Sequence, residues 1–206
     1  MTNKSKKIIL VANAENITDI NHYLAHDDLI VRFNIPKTST LEPTGLRTDI
    51  LFLANTVDIL DKKLKKNGKF LKFSKKYNQQ FQIIFPYSDN LIKIINPTYV
   101  KKRFFICEIL NNFNNFYYIK LLNSYGFEVE ILDEESYFSL QEKISSNQII
   151  STGLIAVNYF LNNPKYFNYD LYLHGFSFEG WSGHNWSKEK EFVESLKKIR
   201  KLHTFN

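Results

Sequence analysis

The 206 residues are enough for one domain, and 44% of them are hydrophobic, with 18 Phe and 12 Tyr available to fill a core. Charged residues make up 23%, an ordinary share for a folded protein, which excludes a disordered chain. The net charge of +6 is uneven: eight lysines lie between Lys62 and Lys76, a second cluster is Lys101, Lys102 and Arg103, and a third spans 197–201.

In chain order, the basic start is followed by an apolar stretch of about six residues, too short for a signal peptide or membrane anchor. No later window approaches the roughly 18 apolar residues that a spanning helix requires. Residues 6–13 form a β-rich apolar run, the pattern of a buried parallel strand. Residues 16–26 have helical spacing at Ile17, Ile20 and Leu24, with Asn16 as N-cap. Strands are predicted over 28–34 and 48–55, a helix over 56–66 and a further strand over 81–87. The stretch 97–125 reads as mostly helical, 127–132 as a strand, and 151–163 as a helix from the spacing of Leu154, Val157 and Leu161. A last strand over 169–176 precedes a closing helix over 187–203. Strands that alternate with helices predict an α/β fold: one Rossmann-like domain over 1–206, with a mostly parallel sheet and helices on both faces.

Cys107 is the only cysteine, which excludes an internal disulfide and a cysteine-based zinc site. Its setting in "RFFICEIL" suits a buried thiol. The expected protein is soluble and cytoplasmic, and its richness in Lys, Asn, Ile and Phe points to an AT-rich bacterial genome. The lysine clusters suit either solvated helix faces or an anionic surface such as phospholipid headgroups, giving peripheral attachment to the inner face of a membrane. Nucleic acid is not expected, because the aromatics sit inside apolar runs instead of between the basic residues.

Parallel sheets bind ligands beyond the carboxyl ends of their strands. Polar groups at the predicted strand ends include Asn13, Asn34, Asn55 and His174. The glycine-rich fingerprints of dinucleotide and P-loop sites are absent. "STGL" at 151–154 offers a different anion cradle, in which Ser151 caps a helix, Thr152 adds a hydroxyl and Gly153 permits close backbone approach. The same residues equally fit an ordinary N-cap. Arg32, inside a strand, reads as a buried structural cation or a ligand contact. Trp181 and Trp186 offer aromatic faces on which a sugar ring could stack, or pack their own loop.

In combination, these segments resemble the sialyltransferases that carry large, small and very small sialyl motifs, an animal-type family with bacterial members. "LIVRFNIPKTSTLEPTGLRTDILFLAN" (29–55) resembles the large motif, and Asn13 in "VANAEN" falls where that family has the asparagine of Gly-Asn-Ser. "ISTGLIAVNYFL" with "DLYLHGFSF" resembles the small motif, although Ile150 replaces its proline. His184 and Glu189 match the His-x4-Glu of the very small motif. The resemblance implies a sialyltransferase-type fold and inverting, metal-independent transfer from CMP-sialic acid, with no cofactor, to a hydroxyl of a surface-glycan or lipooligosaccharide precursor. CMP-Kdo, the donor of a chemically related sugar, fits nearly as well. By the match, Asn13, Asn34, Ser151, Thr152 and Gly153 bind the nucleotide, His184 is the base, and Glu189 orients it or serves as a first-turn charge. A histidine is both mostly neutral and basic enough near neutral pH for that task. His174, at a strand end, is the rival base or a structural residue. The alternative is a catalytically silent nucleotide- or glycan-binding protein on the same scaffold.

Overall fold

In the computed structural model, the Val-, Ile-, Leu- and Phe-rich runs become strands β1 (Lys6–Val11), β2 (Leu29–Phe33), β3 (Ile50–Phe52), β4 (Gln82–Phe85), β5 (Val129–Ile131) and β6 (Tyr169–His174). The structure describes residues 5–14, 18–36, 44–45, 47–56, 60, 64, 70, 80–95, 115–199 and 202–205. The lysine clusters at 62–76 and 101–103, Cys107, Asn16, most of the helix expected over 56–66, and residues 97–114 of the helical stretch expected over 97–125 lie outside the described residues.

A further strand, β7 (Leu202–Thr204), completes a seven-stranded sheet in the order β5-β4-β3-β2-β1-β6-β7. Every pairing is parallel. The chain runs outward from β1 through β2 to β5, then returns to the other side of β1 for β6 and β7. The reversal falls between β1 and β6, where such sheets open a crevice at their carboxyl edge.

Both faces are covered, as the near-continuous apolar strands require. Ile8 and Leu10 of β1, with Val31 and Phe33 of β2, join one core. That core also contains Leu154 and Val157 of the helix Thr152–Asn162 and Val193 of the helix Trp186–Lys197. The alternate residues face the other way: Ile9, Val11 and Ile30 pack with Ile20, while Leu51, Ile83 and Phe85 pack with Tyr118 and Leu122 of the helix Asn115–Ser124. Among the described residues the α-helices are α1 (Asp89–Ile95), α2 (Asn115–Ser124), α3 (Glu134–Lys143), α4 (Thr152–Asn162) and α5 (Trp186–Lys197).

Three local differences from the sequence reading have physical causes. The closing helix stops at Lys197, and 202–204 instead pair with β6, where Leu202 sits opposite Leu171 and is buried. The open edge of β6 captures a segment whose isolated leucine gives a helix little to bury. Within 16–26 the described residues contain only a 3₁₀ turn, Asn21–Tyr23, because Asp19 Oδ1 accepts from Asn21 N (2.8 Å) and offers the backbone a local alternative. Helix α3, unanticipated, begins at Asp133, whose side chain accepts from Ser136 N, with Glu134 and Glu135 in the first turn.

Arg32 is buried and serves the scaffold. Its guanidinium donates to the carbonyls of Arg47 (3.1 Å), Thr44 (3.2 Å) and Gly45 (2.6 Å) and to Thr44 Oγ1 (2.9 Å), pinning the segment before β3. Burial lowers its pKa to about 10, with Asp49 opposing.

Candidate active site

A cavity of about 240 Å³ opens between the ends of β1 and β6, at the reversal of the sheet. Its floor is Ala12, Asn13 and Ala14 after β1 and Phe33 and Asn34 at the end of β2. The strand ladder continues into this floor, since Ala12 N donates to His174 O (2.9 Å) and Ala14 N to Gly175 O (3.3 Å). Asn13 Nδ2 donates to Phe33 O (3.1 Å), and Asn34 Oδ1 accepts from Ala54 N (3.1 Å). Asn34 holds φ +57°, a left-handed conformation that asparagine tolerates better than most residues.

One wall is the N-terminus of α4. Ser151 is its N-cap, with Oγ accepting from Leu154 N (3.1 Å). The amides of Thr152 and Gly153 belong to the first turn, which has no intrahelical acceptors, so they are available to an anion. A methyl on Gly153 would stand 3.0 Å from Phe176 Cε1, so the glycine permits this wall to meet the loop after β6. The segment before the helix is clamped on both sides. Ile150 N donates to Tyr137 Oη (3.1 Å), and Tyr87 Oη donates to Ile150 O (3.3 Å). Burial raises the Tyr87 phenol well above its ordinary pKa, so it stays protonated and able to donate.

Glu189 reaches this clamp from α5. Its carboxylate accepts from Ser151 N (2.8 Å) and from Ser151 Oγ (2.5 Å). Burial pushes the Glu189 carboxyl up, while the Ser151 hydrogen bonds and nearby His184 pull it down. Its side-chain partner is therefore the cap of α4, not the imidazole.

His184 and Trp186 line the opposite wall. His184 Nδ1 lies 2.7 Å from Ile149 O. A carbonyl only accepts, so Nδ1 carries the proton and Nε2 of the neutral ring keeps its lone pair. Trp181 and Trp186 flank the imidazole edge-on at 4.9 and 4.8 Å between centroids, and Trp186 Nε1 donates to Trp181 O (3.1 Å). Together these contacts hold the ring in place.

Of the residues singled out in the sequence, Asn13, Asn34, Ser151, Thr152, Gly153, His184 and Trp186 thus line one cavity. Trp181 stands outside it, largely exposed beside His184, and Glu189 lies behind it. His174 faces a neighbouring depression. Asn55 is buried and bonded to Tyr87 N, Tyr87 O and Asn115. Sequence reasoning missed the Ile149 carbonyl, whose backbone role leaves no residue-type signal, and the aromatic lining of Phe33, Phe176 and Phe178. Among the described residues no group of three or more His, Cys, Asp or Glu could hold a metal ion. Among them too, no helix is long and apolar enough to cross a membrane.

No known family model matches the sequence, and no curated protein matches it. Solved structures do resemble the fold. The sialyltransferase CstII from Campylobacter jejuni in complex with cytidine-5'-monophosphate, a substrate analogue, is 16% identical with a TM-score of 0.55, over 97% of this chain and 79% of that one. The same enzyme with CMP-3FNeuAc is 19% identical with a TM-score of 0.55, over 97% and 80%. The apo α-2,3-sialyltransferase from Campylobacter jejuni is 18% identical with a TM-score of 0.53, over 100% and 76%. At these identities the likeness is one of fold: a parallel α/β sheet arranged as in sialyltransferases.

Proposed function

We propose that the protein is a glycosyltransferase that moves sialic acid, or the related sugar Kdo, from its CMP-linked form to a hydroxyl of a glycan or glycolipid acceptor. The observation that carries this reading is the convergence, in one cavity at the sheet reversal, of a helix N-terminus, two strand-end asparagines and an imidazole with a free Nε2. The fold is one shared with sialyltransferases solved with CMP and a CMP-sugar analogue.

In this reaction the acceptor oxygen attacks the anomeric carbon as the bond from that carbon to the phosphate oxygen breaks, and CMP departs. His184 Nε2 takes the acceptor's proton, a role typically contributing on the order of 10²–10⁴ in rate. The Thr152 and Gly153 amides meet the charge that develops on the phosphate. Ser151 Oγ is committed to Leu154 N and Glu189, so Ser151 supports the site by shaping the helix end. Asn13 and Asn34 hold the nucleoside side of the donor, and Trp186, with Trp181 beyond it, gives an aromatic wall for sugar. The transfer proceeds with inversion and without metal, and the lysine clusters attach the protein peripherally to an anionic membrane.

CMP release from CMP-sialic acid and CMP-Kdo in the presence of EDTA, with and without glycan acceptors, tests the reading. We expect turnover with one donor, lowered by about 10²-fold or more in kcat for His184→Ala. Absence of both CMP binding and turnover sinks the transferase assignment. CMP binding without turnover points to the silent binding protein, and a His184→Ala enzyme with wild-type kcat removes His184 as the base. Salt-sensitive binding to anionic liposomes checks the membrane attachment.

A further inference from the structure

Two consecutive peptide units lie just before α4, and each of their four polar groups meets a side chain. Ile149 O faces His184 Nδ1 at 2.7 Å, and Ile150 N donates to Tyr137 Oη (3.1 Å). Ile150 O accepts from Tyr87 Oη (3.3 Å), and Ser151 N donates to the Glu189 carboxylate (2.8 Å). Residues 149–151 belong to no strand or helix, so these side chains decide how the two peptides are turned.

The first unit joins the imidazole to Tyr137. Ile149 C=O and Ile150 N–H are the two ends of one planar, trans peptide and point in opposite directions. One chain of bonds therefore runs from the His184 Nδ1–H, through that peptide, to the Tyr137 hydroxyl. Tyr137 is buried on α3 and packs edge-on against Tyr87 at 6.1 Å between centroids. Burial holds its phenol above the ordinary pKa, so the accepting oxygen is that of a neutral hydroxyl. Neither Tyr137 nor Ile149 nor Ile150 lines the cavity, so the phenol acts on the site only through the peptide.

Ile150 is fully buried, and water has no access to its N–H. Without Tyr137 Oη, that N–H carries its whole desolvation cost, which drives the peptide to turn towards another acceptor. Because the unit is planar, its carbonyl turns with it and leaves Nδ1. The ring then loses what fixes its proton on Nδ1 and populates the tautomer protonated at Nε2. That form has no lone pair on the nitrogen assigned to take the acceptor's proton.

We propose that Tyr137 is the positioning residue for the His184 imidazole: its hydroxyl sets the 149–150 peptide, and that peptide sets the tautomer. The consequence for catalysis rests on the transferase reading above, whereas the consequence for the ring does not.

Tyr137→Phe in the full-length protein removes only that hydroxyl. Leu140→Ala, about one turn along α3, weakens the same helix with the hydroxyl in place and serves as the control. ¹⁵N NMR of the imidazole nitrogens at about pH 8, where an ordinary histidine is neutral, reads the tautomer, and His184→Ala identifies its signals. Each variant is measured well below its own melting transition. We expect wild type and Leu140→Ala to hold the Nδ1–H form, and Tyr137→Phe to pass a measurable share to the Nε2–H form. Turnover of the CMP-sugar by Tyr137→Phe should fall about tenfold in kcat, with KM and the Kd for CMP changed by less than about twofold. The proposal falls if Tyr137→Phe keeps the Nδ1–H form, if Leu140→Ala shifts the tautomer as far, or if the loss appears in KM with kcat unchanged. If wild type turns over neither CMP-sugar, the transferase reading fails alone, and the tautomer comparison still decides whether Tyr137 holds the imidazole.

Discussion

Glu189 shows how a single side chain couples two helices. From the first turn of α5 it caps the segment before α4 through both Ser151 N and Ser151 Oγ, while buried almost completely. Burial raises its pKa above the ordinary carboxyl range, against the opposing pull of the Ser151 bonds and His184. A carboxyl raised on folding stabilises the protein fully below its unfolded pKa, and that contribution is lost as pH rises through the folded value. Glu189→Gln keeps the shape and has no proton to lose. We therefore expect the stability of wild type relative to Glu189→Gln to fall as pH rises above the ordinary glutamate value of about 4. Urea unfolding at several pH values measures the difference, and a wild type that gains on the variant over that window refutes the burial argument. The sequence located Glu189 in a first turn and next to a histidine motif, yet not its partner. Ser151 lies 38 positions away, and only the path of β6 and its following loop brings the two together.

At the scale of elements, α4 and the loop after β6 meet at Gly153. Phe176, which a Cβ there would press at 3.0 Å, is itself braced edge-on by Phe33 at 5.8 Å and by the tilted ring of Phe178 at 6.0 Å. Alanine is favoured over glycine in a helix by about 1 kcal/mol, so Gly153→Ala should leave global stability within that amount of wild type. The added methyl narrows the approach to the helix N-terminus, and we expect CMP affinity to fall by about tenfold, which calorimetry would read. Unchanged affinity would mean that the wall yields or that the anion sits elsewhere. The main elements of this region were legible in the sequence, because β1, β2 and β6 are short runs rich in Ile, Leu, Val, Phe and Tyr and Ser151 precedes a clear helical period. The edge element was not. Residues 202–204 have only Leu202 to bury, so nothing but the vacant edge of β6 decides their conformation. Helix α3 does carry a start signal, Asp133 followed by two glutamates, but its mixed polar surface gives only Tyr137 and Leu140 to bury.

Across the whole molecule, asparagines tie successive strand ends along the carboxyl edge. Asn13 after β1 bonds the end of β2, Asn34 after β2 bonds the backbone beyond β3, and Asn55 after β3 bonds Tyr87 beyond β4. The first two line the cavity and the third does not, so the row serves the sheet throughout and the site at one end. The strand-end asparagines drew attention in the sequence as candidates for ligand binding, and residue type alone could not separate the two uses. Asn55 separates them experimentally. Its amide exchanges hydrogen bonds with both Tyr87 N (3.1 Å) and Tyr87 O (2.6 Å) and donates to Asn115 Oδ1 (2.7 Å), all buried. Asn55→Ala would strand these groups without water. We expect a loss of about 3 kcal/mol, lowering Tm by about 6–12 °C for a domain of this size. CMP affinity measured well below the transition should change by less than about twofold, since neither Tyr87 nor Asn115 lines the cavity and Tyr87 reaches its wall only through the bond of its hydroxyl to Ile150 O. A Tm within about 2 °C of wild type would show that the row is ornamental to stability. A large loss of CMP affinity in a folded variant would show that the sheet edge acts as one body, transmitting a change at β3 and β4 to the crevice between β1 and β6.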